Sequence, residues 1–280
     1  MSIQRVGKHT YVDVDYNGSN VGCIITAPGM VLIDTPFIPA EIKQWGEQVA
    51  KLSPKGIRYV INTHHHFDHV LGNGTYCPHI IAHESTYQEL LKPDGTMRRF
   101  FIPHHEELTS EVKEQIYRIP VVLPNITFRD HLWLHLGDVN LELWHTGGHS
   151  DSSIYIYVVE DRVLFTGDVF QPSSQPYMGQ GNFRLWMKVL AETEKMDFDV
   201  IVPGHDPVCG RDRIKPLLTF FRQMWHRVQK LQQEGVSRAR VIKQVHDHIN
   251  RYPLSPGQMP LKIRLFDEAI GMMYDQLKAR

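Results

Sequence analysis

Between residues 9 and 34 the chain carries three short runs that read as strands: Thr10 to Val14, Asn20 to Thr26, and Met30 to Ile33. Asn17-Gly18 and Pro28-Gly29 separate them, so the pattern predicts consecutive antiparallel strands joined by turns. The period then changes. Ile42, Trp45, Val49 and Leu52 fall at helical spacing and predict an amphipathic helix from Pro39 to Leu52. The apolar run Ile57 to Ile61, bounded by Gly56 and Asn62, predicts a buried strand. Its end opens into Thr63-His64-His65-His66-Phe67-Asp68-His69.

The alternation recurs in outline. A strand at Ile80-Ile81-Ala82 leads to a helix from Glu84 to Leu91. Residues 93 to 125 read as irregular or partly helical, with Phe100, Phe101, His104 and His105 in a loop. Strands are expected at His131 to Leu136, Val139 to Trp144, Ser153 to Val159, and Val163 to Phe165, the last ending in Thr166-Gly167-Asp168. A loop rich in Pro, Ser, Gln and Gly precedes a helix at Phe183 to Met196. The strand Val200 to Val202 then ends at Pro203-Gly204-His205. From Arg211 onward only helices are expected, over 211 to 234, 237 to 250 and 260 to 278, with breaks at Gly235 and Pro253. The whole reads as an α/β protein with a catalytic domain at residues 1–210 and a C-terminal helical extension at 211–280.

Bulk properties narrow the function classes. The 280 residues are 42% hydrophobic and 22% charged, enough for a full core. The net charge of −1 supplies no global field for nucleic acid or an anionic membrane. No window has the apolar length of a membrane span, and the N-terminus lacks a signal-like stretch, so a cytoplasmic location is expected. Cys23, Cys77 and Cys209 are an odd, scattered set, expected to be buried reduced thiols. Asn17-Gly-Ser19, Asn73-Gly-Thr75 and Asn125-Ile-Thr127 match the glycosylation pattern by chance on that reading.

The unusual number is 17 histidines, and their placement carries the chemistry. Four segments each follow an expected strand and hold metal-ligand residue types: His64-x-His66-x-Asp68-His69, His145-Thr-Gly-Gly-His149, Thr166-Gly167-Asp168 and Pro203-Gly204-His205. Alternate strand residues share a face, so His64 and His66 can meet one ion while His65 points elsewhere. The ligand set suggests His64, His66 and His149 for one ion and Asp68, His69 and His205 for a second, with Asp168 bridging. Imidazole and carboxylate suit two zinc ions, and iron or manganese fit the same donors.

On these residues the chain resembles the metallo-β-lactamase-fold superfamily. Its signature His-x-His-x-Asp-His stands at His64 to His69, and the later ligands match His149, Asp168 and His205. The resemblance runs from about residue 9 to 210. It implies an αβ/βα four-layer sandwich with the site at one edge. Asp34 matches a position that supports the site from behind the ligands; capping a turn is an equal reading of it. A bridging Asp168 points to the glyoxalase II-like and lactonase-like general branch. The stretch Val169 to Gly181 departs from both patterns: it lacks the glyoxalase II Gly-Cys-Gly-Arg-type run, and Gln171 stands where lactonases have a tyrosine. Tyr177 is the nearest substitute.

The implied activity is dinuclear hydrolysis, a metal-bound hydroxide attacking the carbonyl of a lactone, β-lactam or other ester or amide, with Asp68 relaying a proton. Iron-dependent persulfide oxidation and phosphodiester hydrolysis are the alternatives. The expected partner is a small-molecule substrate, walled by loops 93–109 and 169–183. No nucleic acid or membrane partner is expected, and the helical tail offers a face for a homodimer.

Overall fold

In the computed structural model, residues 3–76, 79–251 and 259–279 are described. The chain divides into two compact units. The first comprises Met1–Thr146, Ser152–Gly167 and Asp197–Arg211, and the second Gly147–Asp151, Asp168–Met196 and Asp212–Arg280. The units interleave along the chain, where the sequence pattern suggests one boundary near residue 210.

The first unit holds two sheets. Seven strands lie in sequence order in one of them: β1 (Gln4–Arg5), β2 (Thr10–Asp13), β3 (Val21–Thr26), β4 (Gly29–Ile33), β5 (Ile57–Ile61), β6 (Ile80–His83) and β7 (Ile126–Phe128). Strands β1 to β4 are antiparallel, and β4 to β7 are parallel. The switch to parallel pairing needs a crossover, and α1 (Pro39–Leu52) supplies it between β4 and β5. The other sheet runs in spatial order β12 (Val200–Pro203), β11 (Val163–Gly167), β10 (Ile154–Val158), β9 (Asn140–His145) and β8 (His131–His135). It is antiparallel apart from the β11/β12 pair.

Alternation along the strands decides what lies between the sheets. Val12, Ile24, Val31, Ile33 and Ile61 of the first sheet form one buried cluster with Leu141, Leu143, Ile154, Ile156, Val163 and Phe165 of the second. The residues between them in β3 to β6, Cys23, Leu32, Val60 and Ile80, face the other way and pack under Trp45 and Val49 of α1. Removing a side chain such as Leu143 from this core would cost roughly 2–5 kcal/mol. Burial pushes the Cys23 thiol up to about 12, which leaves it inert at neutral pH. Cys209 is only partly buried, against expectation, because it sits in a short bridge to Ile201 at the sheet edge. Cys77 lies outside the described residues.

Short helices follow the strand ends: α2 (Phe67–Val70), α3 (Asn73–Tyr76) and α4 (Glu84–Leu90). The region read as largely irregular holds α5 (Arg98–Phe101), a 3-10 turn at Ile102–His104, and α6 (Ser110–Arg118). Thr109 caps α6 through its hydroxyl, and Ile116 is the residue it buries.

In the second unit are α7 (Phe183–Thr193), α8 (Ile214–Gln233), α9 (Arg238–Val245) and α10 (Met259–Lys278). Leu217, Phe221, Met224, Val228 and Leu231 form the buried stripe of α8. Phe221 packs at a tilt of 60° against Trp186 of α7 with ring centroids 4.8 Å apart, and Phe220 meets Phe266 of α10 at 6.4 Å. The expected break at Gly235 is present between α8 and α9; Pro253 lies outside the described residues. Among the described residues no helix is long and apolar enough to cross a membrane.

Candidate metal centre

The site in the first unit is built outward from Asp34. Strand β4 ends at Ile33, and Asp34 follows with φ of 54°, a left-handed conformation that a short polar side chain tolerates. Its carboxylate is buried. Oδ1 accepts from the Thr63 main-chain N–H at 2.8 Å, and Oδ2 accepts from the Thr63 hydroxyl at 2.6 Å. Oδ2 also lies 2.8 Å from Nδ1 of His69. Of the two readings its sequence position suggested, the partners of the carboxylate, Thr63 and His69, fit support of a histidine rather than capping of its own turn.

That network fixes tautomers. The Thr63 hydroxyl spends its one proton on Asp34, so its 3.1 Å contact with His64 has the His64 Nδ1–H donating. His64 then presents Nε2 as an acceptor, and this atom is 2.9 Å from Nδ1 of His66. Two nitrogens bound to one tetrahedral zinc lie roughly 3.3 Å apart, so the pair is within a few tenths of an ångström of ligand spacing. His65 faces away and meets the Ser152 hydroxyl at 2.7 Å.

Asp68, His69 and His205 form the second group. Nε2 of His205 is 3.3 Å from Asp68 Oδ2, and Nε2 of His69 is 3.7 Å from the same oxygen. The far nitrogen of each ring is anchored, His69 Nδ1 by Asp34 and His205 Nδ1 by the Gly18 carbonyl at 3.1 Å. Metal-bound histidines show this arrangement, one nitrogen held by an oxygen and the other aimed at the ion. The three donor atoms lie within 4.8 Å of one another, so a carboxylate and two oriented imidazoles fit a divalent metal.

The loop Asn17 to Asn20, which holds the expected turn Asn17-Gly18, positions this group; Asn20, expected to open the next strand, lies just before it, since β3 begins at Val21. A Cβ on Gly18 would come within 2.7 Å of Phe37 and 3.0 Å of the Asp68 Cβ, so the backbone can pass there only as glycine. Ser19 Oγ donates to the Asp68 carbonyl at 2.6 Å. Asn20 Nδ2 donates to the carbonyls of Pro203 (2.9 Å) and Asp206 (2.7 Å), clamping the loop that carries His205. Thr63, Gly18, Ser19 and Asn20 escaped the sequence reading because none of them is a ligand type.

In the second unit, Gly147 (φ 60°) and Gly148 (φ 89°) make a left-handed turn into His149. A Cβ on Gly148 would stand 3.2 Å from the Trp186 backbone. The buried His149 ring packs edge-on against Trp186 at 5.4 Å, and Trp186 is fixed by its own N–H on the Val169 carbonyl at 2.7 Å. His149 Nε2 is 3.8 Å from Asp168 Oδ2. Tyr177 lies edge-on to His149 at 6.2 Å, its hydroxyl pushed up to about 12 by burial and by Glu268.

Other histidines have structural partners. His145 stacks on His83 with centroids 3.9 Å apart, and burial together with His145 lowers the His83 pKa. His104 bonds the Phe100 carbonyl, and His105 pairs with Glu107 while packing against Phe37 and Phe67.

The sequence profile of the metallo-beta-lactamase superfamily matches residues 17–205, from the positioning loop to the last histidine. The chain belongs to the metallo-beta-lactamase superfamily. Within it, a linear primary-alkylsulfatase of Pseudomonas sp. is 24% identical, covering 86% of this chain and 49% of its own length. An acyl-coenzyme A thioesterase of Gallus gallus is 25% identical over 55% of this chain and 58% of that protein. The chain thus spans about half the length of these relatives. A metallo-beta-lactamase family protein from Thermus thermophilus shares the fold, with a TM-score of 0.67, 18% identity, and coverage of 96% of this chain and 92% of that one. In keeping with a metal-using superfamily, Asp68, His69 and His205 of the first unit could together hold an ion; the other ligand-type side chains are His64 and His66 in the first unit and His149 and Asp168 in the second.

Proposed function

We propose that this chain is a dinuclear zinc hydrolase acting on a small carboxylic ester, thioester, lactone or lactam. The observation that carries the reading is the convergence of His69 Nε2 and His205 Nε2 on Asp68, with both far nitrogens already held by oxygen. In this reading Asp68, His69 and His205 would hold one ion, and the remaining ligand types expected from the sequence, His64, His66, His149 and Asp168, would supply the other. Bound divalent metal supplies a nucleophile at neutral pH and polarises the scissile group. The protein's share is orientation and proton handling. Asp34 and Thr63 hold the tautomers of His69 and His64, and the Gly18 carbonyl holds that of His205. Asp68, whose carboxylate lies against two imidazoles, would also relay a proton between the attacking water and the leaving group.

A sulfate ester is the second reading, favoured by the relative named for alkyl sulfates, which matches along 86% of this chain. One experiment addresses both. Protein purified without chelator or added metal is analysed for metal content, then assayed on a lactone, a β-lactam, a thioester and an alkyl sulfate, with and without chelator. About two zinc per chain and chelator-sensitive cleavage of a carbonyl substrate are expected. Cleavage of the sulfate alone moves the assignment to the second reading. Protein that retains no metal and cleaves nothing overturns both.

A further inference from the structure

Strand β8 (His131–His135) ends the order of the five-stranded sheet, with β9 as its paired neighbour. Leu136 N donates to the Val139 carbonyl and His145 N to the Asp130 carbonyl, both at 2.9 Å. Hydrogen-bonded residues alternate in an antiparallel ladder, so Asp130, Leu132, Leu134 and Leu136 turn their main-chain groups toward β9. His131, Trp133 and His135 turn theirs toward the open edge. The same three side chains are exposed, Trp133 by 43%, whereas Leu132 and Leu134 pack on the core.

The segment His131-Leu132-Trp133-Leu134-His135 reads identically in both directions. A second copy laid antiparallel along this edge, with the two-fold axis at Trp133, is therefore matched at every position. Trp133 faces Trp133 of the second copy, His131 faces its His135, and each leucine faces a leucine. All three edge-facing pairs fall in hydrogen-bonded register, giving about six main-chain bonds, two per pair. The side chains are already set for it. Trp133 lies parallel to His135 (8°, 5.9 Å), and His131 and His135 are held by Glu142 at 2.8 Å and Asn140 at 2.6 Å. Proteins guard open edges with lysine, proline or bulges, and this strand has no lysine or proline and an unbroken register to β9.

We infer that this chain forms a two-fold dimer through β8, joining the five-stranded sheets of two copies into one continuous sheet. The dimer face is thus the sheet edge in the first unit, not the helical tail.

Sedimentation velocity of the full chain over a range of concentrations, for wild type, Trp133→Lys and Trp133→Pro, tests the proposal. Proline at 133 removes only an edge-facing N–H and leaves the β9 ladder intact. Both variants are expected to weaken dimerisation on the order of tenfold or more; circular dichroism checks their folding, and if the proline variant unfolds, the lysine variant decides. The register is tested by Trp133→Cys. Facing Cα atoms of a hydrogen-bonded pair lie roughly 5.5 Å apart, within the span of a disulfide, so oxidation should cross-link two copies beyond the background of wild type. His131→Cys, which faces His135 of the second copy, should not cross-link. A monomer at every concentration, a dimer indifferent to Trp133→Lys, or failure of the cysteine at 133 to cross-link overturns the proposal.

Discussion

Asp34 Oδ2 lies 2.8 Å from Nδ1 of His69, and the same oxygen takes the Thr63 hydroxyl at 2.6 Å. One buried carboxylate thus governs the orientation of His69 directly and of His64 through Thr63. Asp34→Ala should lower metal affinity about 10–100-fold, the usual cost of losing such a support. Asp34→Asn keeps one acceptor oxygen and should lose less. Competition titration with a chromogenic chelator measures both; unchanged affinity in the alanine variant would refute the role given to Asp34.

Asn20 offers a sharper separation of structure from ligation, because it touches no candidate ligand. Its side-chain amide satisfies two carbonyls, of Pro203 and Asp206, on either side of His205. Asn20→Ala leaves both without that donor, at about 1–3 kcal/mol for buried groups. The expected result is a lower unfolding midpoint together with metal loss confined to one of two equivalents. Loss of stability with full metal occupancy would show that the clamp serves folding alone.

These two residues also mark how far the sequence could be read. Asp34 and the ligand-type residues were visible because each follows an apolar run and belongs to a chemical type with few other uses in that place. Helix α1 was legible from its apolar spacing, and its bounds match the expected Pro39 to Leu52. Ser19 and the Gly18 carbonyl were not visible. They act through one small hydroxyl and one main-chain oxygen, and the partner of Gly18 is 187 residues away. Helix α6 was missed because it buries little besides Ile116; the available signal was Thr109 as a cap three residues before Val112. Strand β7 has three residues, and its pairing with β6, not its own pattern, defines it.

Metal removal should be visible as stability as well as activity. The proposed ligands come from loops after β5, β9, β11 and β12, so an ion that binds only the folded chain would stabilise it by mass action. At a free concentration of a hundred times Kd the gain is about 2.7 kcal/mol. Calorimetry before and after chelation, and after restoring zinc, is expected to show a fall and recovery of the unfolding midpoint. A midpoint indifferent to chelation, in protein shown to have lost its metal, would contradict ligation by these folded loops.

The pH dependence of stability should carry the mark of Asp13. Its side chain is fully buried at the end of β2; Oδ1 accepts from the Asp15 N–H at 3.0 Å, and Oδ2 has no hydrogen-bond partner among the described residues. Burial raises its pKa, the Asp15 N–H lowers it, and the Asp15 charge raises it further, leaving it above the ordinary value. Glu41 is raised as well, first by burial, with its bonds from Asn17 opposing and the Asp13 charge adding. A raised carboxyl means that the folded chain binds protons that the unfolded chain releases. Stability therefore falls as pH rises from about 3.9, the ordinary aspartate value, through the raised folded value, and the loss is complete above it. An asparagine in this place would mimic the protonated form while keeping an acceptor for the Asp15 N–H. Asp13→Asn should leave stability unchanged in acid, raise it at neutral pH, and flatten the curve between. Thermal unfolding of both proteins from roughly pH 4 to 8 measures this, and a variant less stable than wild type at neutral pH would mean that the Asp13 charge is compensated in the fold.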